Sequence, residues 1–574
     1  MKKLNSYLLL AVAAVFMLSG CSGLNKMKKN ASQIKYEVNP GVLEMHAGNV
    51  DVSIDARFPE KYFNKKAVVV ATPVIKTPAG EVAYKPVTLQ GEKVTANNKV
   101  INFKSGGKMT YSGTVPFNKD MMVSELVVKM EASKGKKSVS FEPFKIADGV
   151  IATPMMLAAK EAELIAAPDK FQRIIPEAYE ADIMYQINRA EVRKEEAKKD
   201  DIEKLKADVK NAEAKDNVKI RDIQVSAYAS PDGELAFNDK LAGNRSQTAF
   251  TFFKKELNNM KVTKAAQDEI FKLMSTAEDW DGFKELVGKS NIQDKDVILR
   301  VLNMYQDPVV REKEIRNISA AFTELAEEIL PQLRRSKLTV NVDVIGKSDE
   351  ELVAIATSKP ADLNLEEVLY AATLVEDVKA KNAIYKAAAD KFPACFRAWN
   401  NLGMTYIQSG DMANGKAAIE KAASLNAKSG IVLNNQGVIA LAEGDFDKAE
   451  GLFRSAAGAG SEVDRNMGIV NVKKGNYSQA VTNFGSTCLF NAALAQTLAK
   501  DYAKALKTID CIDHECPKAE YLKAVIYARQ GQSAQMFKSL SAAVAAKADL
   551  KAKAKTDMEF GKYFEDAQFK SIVN

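Results

Sequence analysis

The chain has 574 residues, 46% of them hydrophobic and 27% charged, with a formal charge of +7. Such a balance excludes wholesale disorder, and the length accommodates three or four domains. Lysines and carboxylates are mixed throughout, with no basic stripe carrying interleaved aromatics, so no nucleic-acid partner is expected.

Lys2 and Lys3 precede an apolar run from Leu8 to Leu18 and then small residues before Cys21. The run is too short to cross a bilayer, so residues 1–20 read as an export signal. The stretch LSGC, Leu18 to Cys21, resembles the lipobox of bacterial lipoproteins. The resemblance implies cleavage before Cys21 and acylation of its sulfur. Each buried methylene of such an anchor contributes about 0.8 kcal/mol, so two or three palmitate-class chains hold a protein stably at the outer membrane. Some lipoproteins of the Bacteroides group carry an acidic stretch after the cysteine that resembles a surface-export tag. Here the stretch is SGLNKMKKNASQ, polar and basic, which points to the periplasmic side. Residues 21–35 read as a tether.

From 36 to 150 the pattern predicts an all-β sandwich. Val50, Val52 and Ile54 alternate with polar residues, KAVVVATPVI is rich in branched residues, and Val139 and Phe141 alternate again. Turn signals such as TPAGE, SGGK and SKGKK separate the runs.

Residues 151–350 read as an α+β domain. Ile183, Tyr185 and Ile187 predict a strand; Ile202, Leu205, Val209 and Ala212 follow helical spacing. A second strand through Ile223, Val225 and Ala227 breaks at Ser230-Pro231-Asp232-Gly233 and gives way to a helix bearing Arg245. A polar and helical insertion covers about 258–333, and Leu338, Val340, Val342 and Val344 predict a closing strand.

The turn and helix, with Gly233, Asn238, Leu241 and Arg245 at matching intervals, resemble the peptidoglycan-binding domain of the OmpA family. The resemblance implies a peptidoglycan site built from Ser230, Asp232, Asn238 and Arg245. Arginine forks onto a carboxylate with two parallel hydrogen bonds, which suits the diaminopimelate side chain. Two departures weaken the match: Ser230 stands where the family has the aspartate that takes the ammonium, and Ala242 and Ser246 alter the helix motif. Asp232, two residues on, would have to replace that aspartate in a rearranged turn. Ser-Pro-Asp-Gly also makes good turn chemistry on its own, with Arg245 then a structural residue.

Residues 351–574 predict an α-helical solenoid. Trp399, Leu402, Gly403 and Tyr406 share one helix, Gly410 marks a turn, and Ile419 and Ala422 share the next. Gly437, Gly444, Ala449, Phe453 and Ala456 repeat the arrangement, with 34 residues from Gly403 to Gly437. These spacings resemble the tetratricopeptide repeat, continuing for about six units. The resemblance implies a concave groove for a protein partner.

Four cysteines, Cys395, Cys488, Cys511 and Cys516, remain in a chain bound for an oxidising compartment. Cys511 and Cys516 are near enough in sequence to bridge, although sequence does not choose among the three pairings of four cysteines. His514 between them makes a metal site the second reading, but no other ligand cluster accompanies it. The chain has two histidines, His46 and His514, in different regions, and no phosphate-cradling glycine loop. No enzyme activity, cofactor or metal is therefore expected. The expectation is a multidomain, non-catalytic scaffold linking membrane, wall and a protein partner. Its alternative is an accessory subunit of an outer-membrane assembly or secretion machine whose OmpA-like domain does not hold peptidoglycan.

Overall fold

The alternating valines and isoleucines near the N-terminus form two sheets around one core. The computed structural model describes residues 23–262, 265–292, 294–318 and 323–574. The first sheet is built on Asn49–Phe58, which pairs antiparallel with Lys35–Asn39, Leu43–His46 and Gly107–Pro116. The second is built on Val68–Thr77 and Glu125–Lys134. Val50, Val52 and Ile54 point into the shared core with Val69, Ile75 and Leu126, as their period of two requires. Burial of these branched side chains, each contributing about 1.5–3 kcal/mol, holds the sandwich together.

The stretch read as a tether is folded where it is described. Residues 23–29 are helical, and Leu24 and Met27 are buried in the sandwich core. Tyr62 Oη donates to the Met27 carbonyl at 3.1 Å. The reason is a helical spacing of two apolar side chains that a reading of polar composition passes over.

The chain divides into two units. One runs up to Pro168 and resumes at Glu376–Asn574; the other is Asp169–Val375. Both domain borders therefore move. Residues 151–168, expected in the α+β domain, belong with the sandwich and the repeats. Helices Asp349–Ser358 and Leu365–Thr373, expected at the start of the solenoid, belong to the α+β unit.

In the α+β unit the sheet runs Ile174–Met184, Arg335–Ile345, Val218–Tyr228, Phe271–Thr276. The first two contacts are antiparallel and the last parallel. Helices Asp200–Glu213 and Leu235–Asn259 bury Ile202, Leu205, Val209, Phe253 and Leu257 against Ile223, Val225, Leu338 and Val340. Ile187, expected on a strand, is exposed beyond the end of one. The fourth strand was expected as helical insertion; its residues are mostly exposed, so no alternation marks it. The rest of the insertion is helical with a small core of its own around Phe283, Val287, Ile298 and Leu302.

The C-terminal part follows the helical spacing. Helix Val378–Lys391 precedes five helix pairs: Phe396–Gln408 with Met412–Leu425, Gly430–Glu443 with Phe446–Ser455, Ser461–Lys473 with Tyr477–Phe484, Phe490–Leu498 with Tyr502–Asp510, and Pro517–Arg529 with Ser533–Ala546. Asp411, Asp445 and Asp501 each cap the second helix of a pair, accepting the backbone N–H three residues on. Gly437 and Gly468 are required by close approach. A Cβ at Gly437 would lie 2.5 Å from the Phe453 ring, and one at Gly468 would lie 2.8 Å from Phe484. Among the described residues no helix is long and apolar enough to cross a membrane.

Candidate functional site: an asparagine groove and the Arg245 turn

The first helices of four successive pairs each carry an asparagine two residues before the small residue that lets the pair close. These are Asn401 before Gly403, Asn435 before Gly437, Asn466 before Gly468 and Asn491 before Ala493. Being at one repeat position, they face the same way. All four are buried, and all four hold one backbone segment, residues 158–167.

Each amide grips a single residue through both backbone groups. The Ala167 N–H donates to Asn401 Oδ1 at 2.7 Å, and Asn401 Nδ2 donates to the Ala167 carbonyl at 2.9 Å. Asn435 holds Ile165 in the same way at 2.8 and 2.9 Å, and Asn466 holds Glu163 at 2.7 and 2.8 Å. Asn491 holds Ala158 at 3.0 and 3.2 Å, beyond a short helical turn at Ala159–Glu161. Alternate residues 163, 165 and 167 are thus clasped by successive repeats in reverse order, which is the period of an extended chain.

A second row stiffens the first. Asn400 and Asn434, one residue earlier, donate to the carbonyls of Ile165 and Glu163 at 3.1 and 3.0 Å. Asn435 Nδ2 donates to Asn400 Oδ1 at 3.0 Å, and Asn466 Nδ2 to Asn434 Oδ1 at 3.0 Å. An amide side chain holds its donor and acceptor side by side in one plane, which lets it take one residue's N–H and C=O and still link to the next amide of the ladder. One side chain of the segment is read by charge: Arg465 Nε donates to Glu163 Oε1 at 2.6 Å, and this bond raises the arginine's pKa. At its N-terminal end the segment is anchored where Thr153 donates to Glu559, itself forked by Arg529.

The turn in the α+β unit is built differently. Helix Leu235–Asn259 turns Asn238, Leu241 and Arg245 inward, and Arg245 is 1% exposed. Its guanidinium donates to three backbone carbonyls, Arg189 at 3.0 Å, Tyr228 at 2.8 Å and Gln186 at 3.2 Å, and lies 5.0 Å from the centre of the Tyr185 ring. Burial lowers its pKa to about 10, so it is charged at neutral pH. Ser230 donates to Asp232, and Asp232 pairs with Arg334 at 3.2 Å. Asn238 Nδ2 donates to the carbonyls of Ser230 and Gly233 at 3.1 and 3.0 Å, closing the turn. The four residues proposed from sequence do come together, around a cavity of about 300 Å3. However, Arg245 presents its fork to the backbone, and Asp232 already has a cation. Arg334, which the sequence reading did not single out, is that cation.

The cysteine bridge differs from the expected one. Cys488 bonds to Cys511, with Cα atoms 5.4 Å apart, and Cys516 is free. The helix pair Phe490–Leu498 and Tyr502–Asp510 returns Cys511 to the start of its own unit, which outweighs sequence proximity to Cys516. His514 is exposed beside Asp513, and His46 packs edge-on against Tyr477. Cys21, the lipidation candidate, lies outside the described residues.

The family model for the tetratricopeptide repeat matches residues 396–429. That segment is a tetratricopeptide repeat. The tetratricopeptide match begins at Phe396, the first residue of the helix that bears Asn400 and Asn401. Among solved structures, the chain is similar to Pseudomonas aeruginosa pilF at 13% identity and a TM-score of 0.29, covering 38% of this chain and 99% of that one. It is also similar to a tetratricopeptide repeat protein from Parabacteroides merdae at 16% identity and a TM-score of 0.29, covering 37% and 91%. PilW, described as a type IV pilus biogenesis factor, matches at 14% identity and a TM-score of 0.28, covering 39% and 99%. No curated protein matches the chain.

Proposed function

We propose that this chain is a non-catalytic envelope scaffold, anchored by lipid on Cys21 and holding polypeptide in its tetratricopeptide groove. The observation that carries the scaffold reading is the double clasp of each asparagine on one residue's N–H and C=O, because that geometry recognises extended backbone and performs no bond chemistry. The lipobox-like LSGC and the export signal before it support the anchor, and the basic stretch that follows supports the periplasmic face of the outer membrane.

Of the two forms of this reading, the accessory-subunit form is favoured. In it the OmpA-like unit makes protein contacts and does not hold the wall, because the Arg245 guanidinium is already bound to three carbonyls and Asp232 to Arg334. Fractionation with a sacculus pull-down tests this. The full chain should pellet with membranes, and Cys21→Ser should release it to the soluble fraction. The intact protein should not be retained on purified sacculi, and crosslinking in cells should trap a polypeptide partner. Retention on sacculi that is lost in Arg245→Lys would restore the wall-linking form. A membrane-free wild type, or no crosslinked partner, would defeat the scaffold reading.

A further inference from the structure

The groove is filled by the chain's own residues 157–168. We propose that this segment is a built-in occupant, and that an extended partner segment of the pattern acid–x–aliphatic–x–small displaces it from the asparagines. The proposal rests on the reading that the groove holds polypeptide, and adds the partner's chemistry and the way the site is regulated.

Apart from a 3.5 Å contact of Asn491 Nδ2 to the Glu161 carboxylate, the asparagine contacts on the segment go to backbone atoms: Asn401, Asn435, Asn466 and Asn491 take both groups of one residue, and Asn400 and Asn434 add a carbonyl each. At Glu163, Ile165 and Ala167 any extended chain offers the same groups at the same spacing, so exchange of one segment for another conserves the clasps of Asn466, Asn435 and Asn401. Side-chain selection is confined to a few positions. Glu163 meets Arg465, Ile165 packs on the repeats' apolar core, and Ala167 is buried where a larger group would need room. Those three residues, two apart, define the pattern.

Burial argues for exchange as well. Of residues 157–168 only Leu157 and Ala167 are buried; the others are half-buried or exposed. A segment with so few fully buried side chains opens more readily than a helix of the core. What keeps it in place is tethering, since a covalently linked ligand has an effective concentration on the order of millimolar. A free peptide therefore competes poorly, whereas a partner already held nearby competes well.

The test uses the full chain and a fluorescent peptide of residues 157–168, LAAKEAELIAAP. Glu163→Pro combined with Ile165→Pro removes two clasped N–H donors from the occupant and leaves the groove intact. Fluorescence polarisation should show the double variant binding the peptide at least tenfold more tightly than wild type. Adding Asn435→Asp, or reversing the peptide's glutamate to arginine at the position of Glu163, should abolish that gain. A folded double variant that binds no tighter than wild type overturns the proposal. Hydrogen exchange on the wild type gives an independent reading: the amides of Glu163, Ile165 and Ala167 should exchange at least a hundredfold faster than those of Leu402 and Val438. Exchange of both sets only through global unfolding would make the segment a permanent strut and sink the proposal. The scaffold reading would survive that result through other surfaces, whereas the absence of any partner in cells would leave a measured opening untouched.

Discussion

The Arg245 turn and the asparagine groove both spend polar side chains on backbone, yet they differ in what they leave available. Arg245 carries donors only, and three of them are committed to carbonyls of Gln186, Arg189 and Tyr228. A buried cation satisfied by fixed acceptors is a structural pin: removing it strands both the carbonyls and the space. Each groove asparagine carries a donor and an acceptor and applies both to one residue, repeated along four helix pairs. The load is shared, each contact is small, and the ligand is defined by backbone geometry. A lone charge with a motif around it reads as a binding site in sequence, while a run of neutral amides does not; here the neutral amides hold the polypeptide.

Substitutions sharpen this contrast in decreasing order of effect. Arg245→Ala should destabilise the α+β unit by roughly 3–5 kcal/mol, as expected when a fully buried hydrogen-bonded charge is removed, and leave the repeats' unfolding transition unmoved. Urea unfolding of the full chain, followed separately in the two units by hydrogen exchange, measures it. A shift below about 1 kcal/mol would return Arg245 to the role of an available ligand-binding group. Asn435→Asp replaces a donor to the Ile165 carbonyl with a carboxylate and breaks the link to Asn400. It should cost about 2–3 kcal/mol, concentrated in the groove and read as faster exchange of the Ile165 amide. Asn491→Ala, at the end of the ladder with longer bonds, should cost about 1 kcal/mol and free only the neighbourhood of Ala158. If the two asparagine variants prove equal, the ladder does not act cooperatively. Ser230→Ala should change stability by less than about 1 kcal/mol, because Arg334 still pairs with Asp232.

Much of the fold was legible because it is periodic. The alternation of Val50, Val52 and Ile54 and the helical stripe Ile202, Leu205, Val209 and Ala212 each reports a buried face directly. The glycines at 403, 437 and 468 mark helix pairs because each leaves room for a side chain of the second helix, as Phe453 and Phe484 occupy it here. The edge strand Phe271–Thr276 was not legible, since its exposure removes the alternation. The asparagine rows did leave a signal, in NNLG, NNQG and NMG, but its meaning depends on knowing that those positions face one groove.

Local sequence by itself determined most of the strands and helices, the exposed strand Phe271–Thr276 and the helix at residues 23–29 excepted, and where the helix pairs close, because those outcomes depend on neighbours two to four residues apart. The tertiary structure alone decided that residues 157–168 fill the groove, that Arg245 faces carbonyls, and that Cys488 bridges to Cys511 and not Cys516 to Cys511. Each of those depends on which distant backbone groups are brought within hydrogen-bond or bonding distance. Only the packed chain sets that, since Asn435 and Ile165 are 270 residues apart.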